Sequence, residues 1–250
     1  MFLGTFDIPG GMLTGGVIES AFYDFGDSDH VANIEITGLH FSFGLDLLGA
    51  VRDDNFENLL RSLLTNADQV TGTKFADTIE AYGGADSIVA GKGADFLIGD
   101  AGADSLFGQQ GNDTLRGGAD NDILIGGAGR DSLRGNTGAD TFRFDRISDS
   151  PTGGAVQPDV IEDFSRAQGD KIDLSRIDAN TFVAGNQAFE FIGTALFTGN
   201  ASDAAHRGEV RFVDVGSDVT LLGDVNGDSV ADFAITVASV NILKAEDFLL

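Results

Sequence analysis

Large apolar residues recur singly at every ninth position between residues 72 and 143. Both flanking positions are polar in four of these eight repeats and one is polar in two more, which favours the alternation of a strand buried on one face. Glycine-rich stretches, which suit tight turns with positive φ, separate the short strands. The pattern therefore predicts short strands that each point one side chain into a thin core. These inward residues are Ile79, Ile88, Leu97, Leu106, Leu115, Leu124, Leu133 and Phe142.

An aspartate precedes each inward residue by two positions and follows the same period. In register, the eight rows read GTKFADTIE, AYGGADSIV, AGKGADFLI, GDAGADSLF, GQQGNDTLR, GGADNDILI, GGAGRDSLR and GNTGADTFR. They fit the template G-G-x-G-x-D-x-U-x, in which U is a large apolar residue, and so resemble the calcium-binding nonapeptide repeat of RTX proteins. The resemblance implies an all-β fold built on a right-handed parallel β-roll that holds Ca²⁺ at its turns.

Two stacked parallel sheets can bury all the inward residues if one coil of the roll takes up two rows. Rows of equal parity then lie above one another, which predicts one edge with Asp77, Asp95, Asp113 and Asp131 and another with Asp86, Asp104, Asp122 and Asp140. Carboxylates about 4.8 Å apart repel by about 1 to 3 kcal/mol per pair. A calcium ion relieves this repulsion because it accepts about 6 to 8 oxygens, backbone carbonyls included. Three gaps on each edge predict up to six calcium sites.

The predicted ligands combine these aspartates with glycines whose turns leave backbone carbonyls accessible. Row one departs from the template at Lys74 and Phe75, and row six departs at Asp120. We therefore expect the first coil to be a capping turn and the most regular sites to lie within residues 91–140. The predicted site residues of the roll are Asp77, Asp86, Gly91, Gly93, Asp95, Gly99, Gly102, Asp104, Gly108, Gly111, Asp113, Gly117, Gly118, Asp122, Gly126, Gly127, Gly129, Asp131, Gly135, Gly138 and Asp140.

A second acidic motif, Asp224-x-Asn226-x-Asp228-x-x-x-Asp232, lies closer to the C-terminus. It resembles the start of an EF-hand or integrin-like calcium loop, in which oxygens at alternate positions surround one ion. It departs from that pattern because position six is Ser229 rather than Gly and position twelve is not Glu. Two interpretations stay open, a calcium ion held by the four polar residues or a polar hairpin turn.

The last hundred residues contain four further segments, at 159–164, 169–175, 223–233 and 247–250. Their order resembles the C-terminal domain of serralysin-type proteins, and together with the repeats the resemblance covers residues 72–250. It implies a β-sandwich-like cap that ends in an uncleaved type I secretion signal, an acidic residue followed by three apolar ones, read by an ABC exporter. The final Asp-Phe-Leu-Leu has this composition. The same residues could complete the last strand of the cap, and the two interpretations are compatible.

The chain before the repeats matches no motif. Alternation predicts strands over residues 17–25 and 31–41. A helix capped by Asp53 or Asp54 is predicted to run to Thr65, with an apolar stripe that would cover the exposed first coil of the roll. The stripe consists of Phe56, Leu59, Leu60, Leu63 and Leu64. The predicted organisation is an N-terminal strand pair and helix over residues 1–71, the roll over 72–143 and the cap over 144–250.

The charge of the chain favours cations as partners. A formal net charge of −25 disfavours binding to nucleic acid or to an anionic membrane, because either would need a basic face. The sequence has no cysteine, no run of 18 apolar residues and no N-terminal segment typical of a signal peptide. We therefore expect a secreted bacterial protein whose roll stays unfolded in the calcium-poor cytosol, leaves through a type I exporter and folds in extracellular Ca²⁺.

The sequence contains no recognisable catalytic group. Its three histidines, His30, His40 and His206, lie in no HExxH or other ligand spacing, and there is no G-x-S-x-G motif. The prediction is a non-enzymatic calcium-binding module. The alternatives are an auxiliary module of a secreted enzyme of the protease, lipase or alginate epimerase type, and a calcium-dependent surface or adhesion protein.

Some outward positions of the repeats are apolar, where most rows carry Ser, Thr or Arg. The N-terminal segment or the cap could cover them, or they could mediate self-association or contact with a passenger domain. They are Phe96, Ile98, Phe107, Ile123 and Ile125.

Overall fold

The computed structural model describes the backbone of residues 17–21 and 34–40 and, in full, residues 65–152, 157–180, 184–198 and 208–250. The helix predicted to begin at Asp53 or Asp54 lies outside these residues, apart from Thr65. Within the described part of the chain the only helical element is a 3₁₀ helix at Ala245–Asp247, and no helix is long and apolar enough to cross a bilayer.

Eighteen strands make up the described structure. They are β1 (Val17–Ala21), β2 (Ile34–His40), β3 (Gln69–Thr71), β4 (Thr78–Glu80), β5 (Ser87–Lys92), β6 (Phe96–Ala101), β7 (Ser105–Gln110), β8 (Thr114–Ala119), β9 (Ile123–Ala128), β10 (Ser132–Thr137), β11 (Thr141–Arg143), β12 (Asp159–Ile161), β13 (Lys171–Asp173), β14 (Glu190–Phe191), β15 (Glu209–Asp214), β16 (Val219–Asp224), β17 (Phe233–Val237) and β18 (Phe248–Leu249).

Successive strands of the repeats alternate between two sheets, as in a parallel roll. Sheet I has the order β1-β2-β3-β5-β7-β9-β11-β13-β18, and sheet II has the order β14-β15-β16-β17-β12-β10-β8-β6-β4. Neighbouring strands of the repeats are parallel and pair residues 18 apart, for example Leu97 with Leu115 and Leu106 with Leu124. Eighteen residues are two rows, so the predicted all-β roll with two nonapeptides per coil is confirmed.

The core is a single file of side chains from each sheet. Seven of the eight predicted inward residues are fully buried, and the eighth, Ile79, is 3% exposed. Burying one Leu or Ile contributes about 1.5–3 kcal/mol, and each row supplies one such residue. The file continues beyond the repeats through Phe144, Ile161, Ile172 and Leu174, which are also buried.

In rows two to eight the turns between strands place the second and fourth positions at positive φ. At the fourth position glycine is needed for space as well, because a Cβ on Gly111 would collide with the carbonyl oxygen of Gly93 in the coil before. Asp120, which replaces glycine at that position, nevertheless has φ of 76°. At the second position Tyr82, Asp100, Gln109 and Asn136 also have positive φ. In rows two to eight the departures from the template therefore keep the turn conformation.

Both ends of the roll continue its sheets. The predicted N-terminal strand pair is present as β1 and β2, and β2 pairs antiparallel with β3 at the edge of sheet I. At the other end, β17 pairs parallel with β12 and forms an antiparallel meander with β16 and β15 that extends sheet II. Strand β18 pairs parallel with β13 and ends sheet I. The C-terminal residues thus share the two sheets of the roll.

The outward apolar residues are divided between the two sheets. Phe107, Ile123 and Ile125 belong to sheet I, and Ile125 is only 7% exposed. Phe96 and Ile98 belong to sheet II. The guanidinium of Arg116, one strand further along, lies 5.0 Å from the centre of the Phe96 ring. These residues therefore do not form one continuous patch.

Shortening one inward side chain should show how much the roll depends on its thin core. We expect Leu115→Ala to lower the free energy of unfolding in excess calcium by about 2–5 kcal/mol, because it opens a cavity at a fully buried position. The matched control Thr114→Ala changes an outward residue of the same strand and should cost about 0.5 kcal/mol. Denaturant titration of both variants measures the difference, and equal losses would contradict the single-file core.

Candidate metal centre

The constant nine-residue spacing of the repeats arranges the aspartates in two ladders, one along each edge of the roll. In each ladder the carboxylate Oδ1 accepts a hydrogen bond of 2.7–3.1 Å from the backbone N–H of the preceding aspartate. The predicted separation by parity is correct. Ladder one consists of Asp77, Asp95, Asp113, Asp131 and Asp159, and ladder two consists of Asp68, Asp86, Asp104, Asp122, Asp140 and Asp170.

Each aspartate is fixed in place by its backbone as well as by its side chain. The N–H of Asp95, for example, donates to Oδ1 of Asp113 at 2.8 Å, and its carbonyl accepts from the N–H of Thr114 at 2.8 Å. Each of these aspartates, which we call the rungs of a ladder, therefore holds the next coil through two hydrogen bonds. The geometry repeats because the aspartate always comes directly before a strand.

The second carboxylate oxygen, Oδ2, is buried without a hydrogen-bond partner in nine of these residues. Burial of a carboxylate oxygen without a donor is unfavourable, and a cation is the partner that a carboxylate accepts most strongly in such a place. The nine residues are Asp68, Asp86, Asp95, Asp104, Asp113, Asp122, Asp131, Asp140 and Asp159. They include seven of the eight predicted aspartates.

Backbone carbonyls lie close to these free oxygens. A Cβ on Gly99 would be 2.6 Å from the carbonyl oxygen of Gly117 and closer still to Oδ2 of Asp104. Gly108 stands in the same relation to Gly126 and Asp113. A cluster of carboxylate and carbonyl oxygens suits a hard divalent cation such as Ca²⁺, so the residues present fit the predicted ion.

The predicted glycines fall into two structural groups. Those at the first position of a row leave room for Oδ2 of the aspartate five residues later, and they are Gly99, Gly108, Gly117, Gly126 and Gly135. Those at the second and fourth positions lie in left-handed turns and are stacked against a backbone carbonyl one coil before. This second group consists of Gly91, Gly93, Gly102, Gly111, Gly118, Gly127, Gly129 and Gly138.

Asp77 and Asp170, each at one end of a ladder, differ from the rest because protein groups donate hydrogen bonds to their Oδ2 atoms. Asp77 Oδ2 accepts hydrogen bonds from the backbone N–H of Thr73 at 2.6 Å and from its hydroxyl at 3.0 Å. Asp170 Oδ2 accepts from the N–H of Ser165 at 2.8 Å. The arrangement at Asp77 supports the prediction that the first coil is a capping turn.

Burial raises the pKa of the nine aspartates whose Oδ2 lacks a donor, and in eight of them repulsion from a neighbouring ladder carboxylate adds to the effect. The pKa reaches about 8 for Asp122, about 7 for Asp131 and about 9 for Asp159. For Asp104 and Asp122 the carboxylate of Asp120 also contributes, so this departure from the template adds negative charge beside ladder two. The ladders thus disfavour their own charged form when only protein groups surround them.

Three rungs were not predicted from the period. Asp159 follows Asp131 by 28 residues and Asp170 follows Asp140 by 30, because inserted segments interrupt the nine-residue spacing. Asp68 precedes the first row. The signal that could have identified all three is the triplet Asp-x-apolar, which stands in the sequence as Asp-Gln-Val, Asp-Val-Ile and Asp-Lys-Ile.

The acidic loop between β16 and β17 has a different geometry. Both oxygens of Asp224 accept backbone N–H groups of the loop, and Oδ2 of Asp232 accepts the N–H of Val225 at 2.8 Å. The remaining oxygen of Asp232 accepts the side-chain amide of Asn226, and Asp228 accepts the N–H of Val230. These hydrogen bonds account for the loop as a polar hairpin turn. A calcium ion held there stays a prediction.

In the described ranges no three Asp, Glu or His residues are grouped so that they could hold a metal ion. Side chains alone would therefore not complete the coordination of a cation there. On the ladders one carboxylate comes from each coil. A cation bound between two coils would therefore share its coordination with backbone carbonyls.

Comparison with known families identifies the repeats. The family model of the RTX calcium-binding nonapeptide repeat matches in four copies, at residues 65–97, 89–124, 98–133 and 116–146. Residues 65–146 are RTX repeats. The family match covers both ladders except Asp159 and Asp170 and does not extend to the segments that resemble serralysin-type proteins.

Solved structures with similarity to the chain include two subunits of a mannuronan C5-epimerase from Azotobacter vinelandii. The AlgE6R3 subunit is 30% identical, with 74% of this chain and 78% of that chain covered and a TM-score of 0.34. The AlgE6R2 subunit is 25% identical, with 72% of this chain and 91% of that chain covered and a TM-score of 0.37. Comparison with curated proteins gives no match.

The first-position glycines of the RTX rows offer a direct test of the ladder geometry. A Cβ at Gly117 would collide with the carboxylate of Asp122, so Gly117→Ala should displace Oδ2 and raise the calcium midpoint of folding about tenfold. Gly83→Ala is the matched control, since its Cβ would be 3.6 Å from its nearest neighbour. Calcium titration followed by circular dichroism distinguishes them, and a Gly117→Ala midpoint equal to that of Gly83→Ala would contradict the geometry.

The raised pKa values predict how pH affects the RTX repeats in chelator. The folded-state pKa of about 6 for Asp113 and about 8 for Asp122 exceeds the value of about 4 in the unfolded chain, so folding takes up protons. The stability gained from this is present below about pH 4 and is lost as pH rises through the folded-state values. We expect strand content measured by circular dichroism to increase from pH 8 to pH 5.

The control for this pH dependence is the same measurement in excess calcium. Protons then compete with the cation for the ladder oxygens, so the calcium midpoint should rise as pH falls. More strand at pH 8 than at pH 5 in chelator would show that the ladders do not control the pH dependence.

Proposed function

We propose that this chain is a secreted calcium-binding module whose folding is driven by extracellular Ca²⁺ after export. The observation that carries the proposal is the set of nine buried Oδ2 atoms without a donor, repeated along both ladders. Because these sites exist only when the coils are stacked, the free energy of cation binding is also free energy of folding.

Two effects disfavour folding of the roll without metal. Each coil brings another buried carboxylate next to the previous one, and only one large side chain per row enters the core. A chain of net charge −25 adds a general repulsion against compaction. Calcium ions would remove the repulsion along the ladders and supply the missing partners of the Oδ2 atoms.

The concentration range of such a switch follows from its ligands. Sites of mixed carboxylate and carbonyl oxygens in extracellular modules typically bind Ca²⁺ at about 10⁻⁴ to 10⁻³ M. That range lies far above cytosolic calcium, so the roll would remain unfolded until it leaves the cell. Export through a type I exporter is supported by the resemblance of the C-terminal Asp-Phe-Leu-Leu to the signal of serralysin-type proteins.

The proposed role is structural rather than catalytic. It is supported by the ladders, which account for the period that dominates the chain. An activity screen on polysaccharide, ester and casein substrates in calcium tests this part of the proposal, and turnover by the purified chain would refute it.

Calcium should induce strand structure in a cooperative transition. We expect little strand signal in chelator at pH 7.5 and a midpoint between about 10⁻⁴ and 10⁻³ M Ca²⁺ by circular dichroism. Asp122→Asn should raise the midpoint about tenfold, since it removes one charged ligand from the centre of ladder two. Asp214→Asn removes the same charge from an exposed turn outside the ladders and the acidic loop and is the matched control.

Two results would contradict the proposal. One is a chain that is fully folded at neutral pH in chelator. The other is an Asp122→Asn variant with the same midpoint as Asp214→Asn.

A further inference from the structure

The segment from Asp159 to Asp170 lies over the last row of the repeats, which carries Asp140 of ladder two, and its side-chain oxygens accept hydrogen bonds from that row. Asp163 accepts the N–H groups of Gly135 and Asn136 at 3.0 and 2.9 Å, and Gln168 accepts that of Gly138 at 3.0 Å. Residues 159–170 thus contribute acceptors where another coil would otherwise pair. We call residues 159–170 the closing segment.

The closing segment also reaches the C-terminus of the chain through Arg166. Its guanidinium binds the carboxylate of Asp247 with two hydrogen bonds, Nε to Oδ1 at 2.6 Å and a terminal nitrogen to Oδ2 at 2.5 Å. The terminal nitrogen also donates to the carbonyl of Ile242 at 3.1 Å. A planar guanidinium matches a carboxylate in this paired geometry, which makes the contact strong and directional.

Asp247 depends on that contact. Its side chain is fully buried, whereas the side chain of Arg166 is 34% exposed. Its carboxylate also accepts the backbone N–H of Lys244 at 2.7 Å, which carries no full charge. Without Arg166 a buried carboxylate would lose its compensating charge, and this is strongly destabilising.

The residues after Asp247 form the last strand of sheet I. Strand β18 pairs with β13, and the carbonyl of Leu249 accepts the N–H of Leu174 at 2.8 Å. Phe248 is 7% exposed, and its ring centre lies 5.0 Å from that of Phe191. In the folded chain the C-terminal Asp-Phe-Leu-Leu is therefore part of a sheet and not a free tail.

One residue connects the ladder to this strand. Asp170, the last rung of ladder two, accepts the N–H of Asp140 with Oδ1 and the N–H of Ser165 with Oδ2. The same carboxylate thus fixes the end of the ladder and the turn that carries Arg166. Ordering of the ladder and positioning of the guanidinium share this contact.

We propose that Arg166 couples cation binding on the ladders to docking of β18, so that calcium withdraws residues 247–250 from other proteins. The inference rests on the proposed function. It implies that a partner that reads the C-terminal residues, such as an exporter, has access to them only before the roll binds calcium. Extracellular calcium would then make export irreversible by hiding the signal as well as by folding the roll.

Coupling of this kind is reciprocal, which makes it testable without an exporter. In the wild-type chain, saturating Ca²⁺ should slow release of Leu250 and Leu249 by a carboxypeptidase at least about tenfold relative to chelator. Arg166→Gln should restore release in saturating Ca²⁺. It should also raise the calcium midpoint of folding, because docking of β18 and calcium binding stabilise each other.

The matched control is Arg176→Gln, which removes the same charge from an exposed ion pair with Asp145. It should leave both readouts unchanged. Arg166→Lys keeps the charge without the paired geometry and should give intermediate values, and it serves as the test if Arg166→Gln does not fold. Circular dichroism in excess calcium establishes that each variant retains its strands.

Three results would overturn the coupling. They are a C-terminus that stays accessible in calcium, a C-terminus equally protected in chelator, and Arg166 variants that match Arg176→Gln in both readouts. A wild-type chain that calcium does not fold at all would instead refute the proposed function, and the coupling with it.

Discussion

One oxygen atom per coil on each edge determines the rest of this structure. Stacking the coils buries the carboxylate Oδ2 of an aspartate beside the backbone and provides no protein donor for it. In the six rows that begin with glycine, that carboxylate occupies the space that a Cβ at the first position would take. The other carboxylate oxygen, Oδ1, fixes the preceding coil by accepting the N–H of its aspartate. The same residue therefore joins the coils and creates the demand for a cation.

The sequence predicts the regular part of this arrangement because the period is a physical repeat. Every row places its aspartate directly before a strand and its inward residue two positions later, so the two sheets and the separation by parity follow. Asp159 and Asp170 could not be placed by counting, because inserted segments of irregular length precede them. The role of Asp77 depends on Thr73, which closes its carboxylate. A local hydrogen bond of this kind has no periodic signal.

The loop that contains Asp224 shows that the same residue type can have opposite requirements. Its carboxylates lie among backbone N–H groups that point inward, since the turn conformation with Ser229 at φ of 67° brings these donors together. On the ladders the corresponding N–H groups are already used between coils. Spacing of acidic residues suggested a calcium site in both places, but in the described residues only the ladders leave buried carboxylate oxygens without a donor. The supply of donors, rather than the density of charge, distinguishes the two.

The ends of the ladders differ, and this determines where calcium can act on the rest of the chain. Ladder one ends at Asp159, which is fully buried and has a free Oδ2. Ladder two ends at Asp170, whose Oδ2 is bound by Ser165. Oδ2 therefore lacks a donor as far as Asp159, the last rung of ladder one, and a cation is needed there. Ladder two ends instead at a turn of the protein, and this turn carries Arg166. Arg166 of that turn binds Asp247, so hydrogen bonds connect ladder two with the start of the C-terminal strand. Order in the ladder can therefore be transmitted to the end of the chain.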